Sequence, residues 1–545
     1  MTSLLSWVRG VVAVGLLCAV AARAADEAQL RKIDALFGRW DVKDAPGVIV
    51  AISEGGKIVH ARGYGMANLD HGVPLTPDTI TESGSVAKQF TAAAVALLHV
   101  RGKLSLDDSV RKHIPELSTV YQPVTVRMLV NHTGGVRDIH GLNDLLGRPS
   151  YWSPQNNTVA VRVLAKQTRL NFEPGTEYLY SNGGYVLASE VVARVSGKTF
   201  AAFCDEEVFV ARGLKNTSWR DDFTRVIPGR ATGYSKGQGG KYRIDLPYSN
   251  LVGNGGVLTT VGDLLAWTES LANPPTDEWR KVVALLETPS KLKNGHAIVY
   301  GLGLQIDDYA GVPEIGHGGA TSGYRTYLTR FPTKGLAIAV LSNAGDFDGA
   351  GAAHGIARIL LGVTQPQVKE VKIGGPVDGF AGMYFNQSAD QVMRLTAKEG
   401  TLSLGGGALV RTGASTFSNR SGSLKLAFDE PDAQGRMQKF TLTDDNGSAT
   451  FVAKAPAKPS AADLAAYAGT YRSAELGVSV VFAVDKGKLT SEIWPGPAGA
   501  GEPTFADGFH YRSGWHITFV RDASGKVTGA EATNGRVRRV LFDRQ

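Results

Sequence analysis

Cysteine is almost absent from this chain of 545 residues: Cys18 and Cys204 are the only two. Cys18 lies inside the apolar stretch Gly10 to Val20, behind Arg9 and ahead of Ala22-Arg23-Ala24. A positive start, a short apolar run and an A-x-A site together predict a secretory signal over residues 1–24. The run is too short to span a bilayer comfortably, and Leu17 stands where a lipoprotein signal would carry a small residue. A cleaved signal is therefore expected, with periplasmic or secreted bacterial localisation and no stable membrane anchor. Cys204 would then be the only cysteine left, so no intrachain disulfide is available and packing alone must hold the fold.

A run of basic residues is also missing. Loss of Arg9 and Arg23 with the signal lowers the net charge from +7 to +5, with lysine and arginine scattered. No nucleic-acid partner is expected. None of the 11 histidines sits in a metal-ligand spacing, so neither metal nor cofactor is expected.

The length calls for more than one core. In the first two thirds, strand-like runs Val48 to Ile52 and Lys57 to Ala61 flank Glu54-Gly55-Gly56, a hairpin signal. Ser85 to Arg101 reads as a helix with Gly102 at its end, and Tyr185 to Val195 as another, ended by Ser196-Gly197. Tyr324 to Phe331 and Leu336 to Leu341 form a second hairpin pattern. Beyond residue 365 helical periodicity disappears and short strands alternate with Gly, Asp and Asn. Phe380-Ala-Gly-Met-Tyr384 recurs as Tyr467-Ala-Gly-Thr-Tyr471, and Gly400-Thr-Leu402 recurs as Gly487-Lys-Leu489. A linker-like Lys454-Ala-Pro-Ala-Lys-Pro459 separates the repeats. Two antiparallel barrels or sandwiches, or one continuous β domain, fit this region.

Three clusters carry chemistry. Ser85-Val-Ala-Lys88 places an amine three residues from a hydroxyl, on one helix face, where a base can activate a serine. The first helical turn also offers free N–H groups to a developing oxyanion. Tyr180-Ser181-Asn182 puts a phenol and an amide on one face of an extended segment. A tyrosinate lowered by a lysine is a candidate general base. Packing for Tyr180 and capping for Asn182 are the alternative. His317-Gly318-Gly319-Ala320 combines a donor or cation with glycines that admit a close backbone approach; a plain turn histidine is the other reading.

In this order and spacing the clusters resemble the S-x-x-K, Y-x-N and H-x-G motifs of the serine β-lactamase and penicillin-binding-protein hydrolases. Leu129-Val-Asn131-His132-Thr-Gly-Gly, Asn254-Gly-Gly-Val-Leu-Thr-Thr and Tyr300-Gly-Leu-Gly resemble further landmarks of that family. The resemblance implies an α+β domain, an antiparallel sheet with a helical region, over 25–365. Its layout is similar to S12-type D-aminopeptidases, in which two small antiparallel β-barrel domains follow, here at 376–454 and 460–545. It implies that Ser85 is acylated, that Lys88 and Tyr180 share its proton, and that Asn182 orients the substrate amide. His317 would edge the cleft, with Gly319 beside it and the Ser85 and Ala320 amides as oxyanion hole. Lys-Thr-Gly, which binds a β-lactam carboxylate in many relatives, is His-Gly-Gly here. That replacement argues for a peptidase or esterase branch.

The expected function is acyl-enzyme hydrolysis of a small peptide, amide or ester, D-aminopeptidase-like. A carboxylesterase and a penicillin-binding covalent sensor with slow deacylation are the alternatives. A β-lactam is a candidate inhibitor and a homodimer a candidate assembly. Trp494-Pro-Gly-Pro-Ala-Gly-Ala-Gly501-Glu-Pro503, rich in breakers, is expected to project as a loop toward the cleft.

Overall fold

Gly55 and Gly56 both take left-handed φ, 54° and 78°, as a tight two-residue hairpin of the favoured twist requires. The computed structural model describes residues 26–148, 153–371, 373, 375–429, 431–491 and 499–545. The expected signal segment therefore lies outside the described residues. The two glycines join β1 (Val48–Glu54) to β2 (Lys57–Tyr64). The partners come from far along the chain: β3 (Gln305–Tyr309), β4 (Val312–Thr321), β5 (Tyr324–Phe331) and β6 (Leu336–Ser342). All six form one antiparallel sheet in the order β3-β4-β5-β6-β1-β2.

Both faces of this sheet are covered, and the two-residue period of the strand sorts its side chains between them. Val48, Val50 and Ile52 pack with Ile33 and Phe37 of α1 (Glu27–Phe37) and with Ile356 of α5 (Gly349–Leu361). Ile49 and Ala51 face the other way, into the helical region. That region is built on α2 (Lys88–Val100), α3 (Asn182–Ser196) and α4 (Val261–Ala272). The alanine-rich α2 is buried along most of its length, as a helix apolar all round should be. Its start differs from expectation. Gly84–Ala87 form a 3₁₀ turn, and the α-helix begins at Lys88, so Ser85 sits on the tighter turn ahead of it.

The C-terminal third forms two nine-stranded antiparallel sheets of identical strand order. In the first, the edge strands are Gly407–Ala408 and Val410–Arg411. One residue separates these opposite edges, so the sheet must curl into a nearly closed barrel. The second repeats this with Gly499–Ala500 and Glu502–Pro503. The sequence repeat has a physical meaning: Tyr384 donates its hydroxyl to the Phe380 carbonyl (3.0 Å) and Tyr471 to that of Tyr467 (2.8 Å). Each fastens the chain at the entry to its barrel.

The barrels attach unequally. Val537 and Val540 of the second barrel belong to the same hydrophobic core as the helical region. The first barrel has its own core and leans on the second through Phe385 and Phe505, ring centroids 4.7 Å apart. Among the described residues no helix is long and apolar enough to cross a membrane, and Cys204 is buried and free.

Candidate active site

The 3₁₀ turn carrying Ser85 lies hard against β4, and two glycines allow it. A Cβ on Gly319 would fall 2.1 Å from the Ser83 carbonyl oxygen and 3.2 Å from the Ser85 nitrogen. A Cβ on Gly84, whose φ is +53°, would fall 2.6 Å from the Ala320 nitrogen. Only bare backbone fits, and the result brings the Ser85 and Ala320 amides to the same crevice.

Lys88 follows one turn later and is 0 % exposed. Its Nζ lies 3.1 Å from Ser85 Oγ, 2.9 Å from Asn182 Oδ1 and 2.6 Å from the Asn254 carbonyl. Burial pulls its pKa well below the ordinary amine value, and the nearby Arg536 adds to this while Asp138 opposes it. That shift favours the neutral amine. Its two hydrogens satisfy the two carbonyl oxygens, which only accept. The nitrogen lone pair is left for the Ser85 hydroxyl.

Tyr180 hydrogen-bonds to Ser85, but burial pushes its phenol far above its usual pKa. Desolvation outweighs the stabilisation the site offers, which favours the phenol over the tyrosinate expected from the sequence. Lys88 Nζ sits 4.8 Å from the Tyr180 ring centre. Asn182 opens α3, with Ser181 rather than Asn182 capping it by accepting from the Gly184 amide (3.2 Å). The Asn182 backbone and side-chain amides both donate to Asp138 Oδ2 at 2.8 Å. Asp138 thereby fixes the amide that holds Lys88.

His317 is corrected in part. It lines the cleft but is buried, and burial lowers its pKa to about 3. Its Nδ1 lies 2.6 Å from the Gly318 carbonyl, so Nδ1 carries the hydrogen and Nε2 accepts from the Tyr300 hydroxyl (2.9 Å). No cation is present on this strand for a carboxylate. His132, a left-handed residue (φ 64°), stacks on Tyr180 with ring centres 4.2 Å apart and accepts the Ser181 amide at Nδ1 (3.1 Å).

These groups open on a cavity of about 730 Å³ lined by Ser85, Tyr180, Asn182, Asn254, His317 and the Gly319-Ala320 edge. Three neighbours had no clear signal in the sequence. Glu82 is held by a buried two-point pair with Arg220 (3.0 and 2.9 Å). His140 Nε2 meets Asn254 Nδ2 at 3.2 Å. Arg536 comes from the last hairpin of the second barrel, between Val527–Asn534 and Val537–Arg544, and its guanidinium stands 4.7 Å over the Tyr180 ring. The second barrel thus reaches the cleft through a segment other than the expected one. Of Trp494–Pro503, residues 494–498 lie outside the described residues, and Glu502 forms an edge strand.

A serine held between a buried lysine and a tyrosine, beside the backbone amides of Ser85 and Ala320, defines an acyl-transfer serine hydrolase. The beta-lactamase family model matches residues 33–361, and the chain belongs to that family. A D-aminopeptidase of Brucella anthropi is 26% identical over 519 residues, spanning 89% of this chain and 92% of that protein. Penicillin-binding protein 4* of Bacillus subtilis is 29% identical over 332 residues, 57% of this chain and 71% of that one. Among solved structures, the octameric penicillin-binding protein homologue from Pyrococcus abyssi shares the fold with a TM-score of 0.55 and 22% identity, covering 77% of this chain and 99% of that one.

Proposed function

We propose that this serine hydrolase removes the N-terminal residue from small D-configured peptides or amides through an acyl-enzyme. The observation that carries the reading is the placement of Lys88, whose Nζ lies 3.1 Å from Ser85 Oγ and is anchored by Asn182 and the Asn254 carbonyl. With both hydrogens committed to Asn182 and Asn254, the amine is oriented to take the Ser85 proton as Oγ attacks the scissile carbonyl. The Ser85 and Ala320 amides receive the oxyanion, a contribution commonly worth 10²–10³ in rate per donor. Tyr180, hydrogen-bonded to Ser85 and protonated, passes a proton to the departing amine. Lys88 then hands to Tyr180 the proton it took, which restores the phenol and the neutral amine. Water attacks the ester as Lys88 takes its proton and passes it to the departing Ser85 Oγ. Asn182 keeps Lys88 in place and offers its remaining side-chain hydrogen to the substrate.

The D-aminopeptidase assignment is supported by the near full-length similarity to the Brucella enzyme. Residues 25–365 would carry the chemistry, with the barrels at 376–454 and 460–545 shaping access, and removal of 1–24 would deliver the chain outside the cytoplasm. The test is a panel of D-alanine p-nitroanilide, its L isomer, a short p-nitrophenyl ester and nitrocefin. Turnover of the D-amide above the L-amide and the ester is expected. Ester turnover alone makes the chain an esterase, and a single equivalent with no further turnover makes it a sensor. Intact-mass labelling by a fluorophosphonate should add one group, lost in Ser85→Ala; labelling that persists removes Ser85 from the role.

A further inference from the structure

Among the described residues the second barrel sends one charge, Arg536, into the cleft, and no carboxylate lining the cleft pairs with it. Lys88 is buried and committed to Asn182 and the Asn254 carbonyl. Arg220 is matched by Glu82, which Arg230 also approaches (3.4 Å). Arg325 reaches the Ser322 and Tyr324 carbonyls (2.8 and 2.7 Å), and His317 is uncharged. The other lining carboxylate, Asp348, accepts the Gly351 amide (2.9 Å) as the cap of α5. Among the described residues no carboxylate pairs with Arg536. A guanidinium is always charged and presents a planar fork suited to two-point carboxylate binding.

The fork is also held in place. The Arg536 carbonyl accepts from Asn171 Nδ2 (3.0 Å) and the Asp138 amide (3.3 Å), and its own amide donates to Asn534 Oδ1 (2.9 Å). The backbone of the turn is therefore fixed while the side chain lies exposed over Tyr180. Tyr180 is the group assigned to protonate the departing amine. An anion held by Arg536 consequently lies on the leaving-group side of the scissile bond.

We propose that Arg536 binds the free carboxylate of the leaving residue, so that the preferred substrates are dipeptides with an unblocked C-terminus rather than amides. This rests on the reading of Ser85, Lys88 and Tyr180 as the acyl-transfer machinery. The test compares kcat/KM for matched pairs in the full-length protein: D-alanyl-D-alanine against D-alanyl-D-alaninamide, and 3-carboxy-4-nitrophenyl acetate against 4-nitrophenyl acetate. The acid-to-neutral ratio should fall tenfold or more in Arg536→Ala, recover partly in Arg536→Lys and invert in Arg536→Glu. The alanine variant keeps the backbone contacts of the turn, and fluorophosphonate labelling of Ser85 reports that the site is assembled. An unchanged ratio overturns the proposal, including the case in which both members of a pair slow together, since Arg536 would then act on Tyr180. Cleavage of the esters but of neither peptide would sink the peptidase reading alone, and the ester ratio would still decide for or against Arg536.

Discussion

Replacing Glu475 with alanine should disable the active site from a distance, through the joint between the second barrel and the helical region. Glu475 is 4 % exposed at its side chain and pairs with Arg137, which is 1 % exposed, at 2.8 Å. Its other oxygen accepts the Thr168 amide and hydroxyl at 2.9 and 3.1 Å. The substitution leaves a buried guanidinium without its counter-charge, a loss that typically costs about 3–5 kcal/mol. Arg137 keeps the Gln167 side chain (2.8 Å) and the Arg538 and Arg539 carbonyls (2.9 Å each). Those acceptors should hold the cost near the lower end, about 3 kcal/mol.

Arg137 precedes Asp138, so any shift that relieves the stranded charge moves the carboxylate that anchors Asn182, and with it Lys88. Glu475→Ala should therefore lower both stability and kcat. Urea unfolding followed by tryptophan fluorescence gives the first from the midpoint shift and slope. The continuous core joining barrel and helices makes one shared transition the expectation. A loss under about 1 kcal/mol would mean that Glu475 is solvated and would refute the argument. Lost stability with wild-type kcat would refute the link to Asp138.

Two further outcomes follow from the same geometry. Lys88 acts as a neutral amine and its pKa is depressed in the folded chain, so kcat/KM should rise with pH through that lowered value and be level before the ordinary lysine range is reached. Because burial lowers the His317 pKa to about 3, no limb from it is expected near neutrality; a rate still climbing toward pH ~10 would show that Lys88 holds its proton. Gly319→Ala forces a Cβ to 2.1 Å from the Ser83 carbonyl, which as backbone cannot swing aside, so β4 must retreat with the Ala320 amide and kcat should drop roughly 10²–10³-fold. Wild-type kcat in that variant would remove Ala320 from the oxyanion hole.

Local chemistry explains what was legible in the chain. The Glu54-Gly55-Gly56 turn, the alanine-rich α2 with Gly102 behind it and the Tyr384/Tyr471 repeat each encode structure within a few residues, and each forms as read except that α2 begins at Lys88, behind a 3₁₀ turn. Ser85, Lys88, Tyr180 and Asn182 also meet as their order suggested. What was missed depends on distant contact or on depth. Asp138 acquires its role only when α3 brings the Asn182 amides to it, and nothing in Val136-Arg137-Asp138 marks it beforehand. Arg536 sits in a Gly535-Arg536 turn like many others, and only docking of the barrel aims it at Tyr180. For Tyr180 a tyrosinate and for His317 a cation were among the states their types permit. Burial disfavours both, and burial of a particular side chain is not written in its neighbours along the chain.

The same docking explains why a hydrolase site would be built with its last hairpin so far from its nucleophile. The Asp138 amide and Asn171 both grip the Arg536 carbonyl, while the Arg538 guanidinium reaches Glu177 at 2.9 Å and the Arg538 amide donates to Asn171 Oδ1 at 2.8 Å. One short segment of barrel thus braces the two loops that carry Asp138 and Tyr180. A rigid barrel is suited to this because its strands hold the hairpin at both ends, whereas a free loop would lose the ordering entropy again at each binding event. Support for the catalytic lysine and placement of Arg536 are therefore one structural act, and neither can drift without the other.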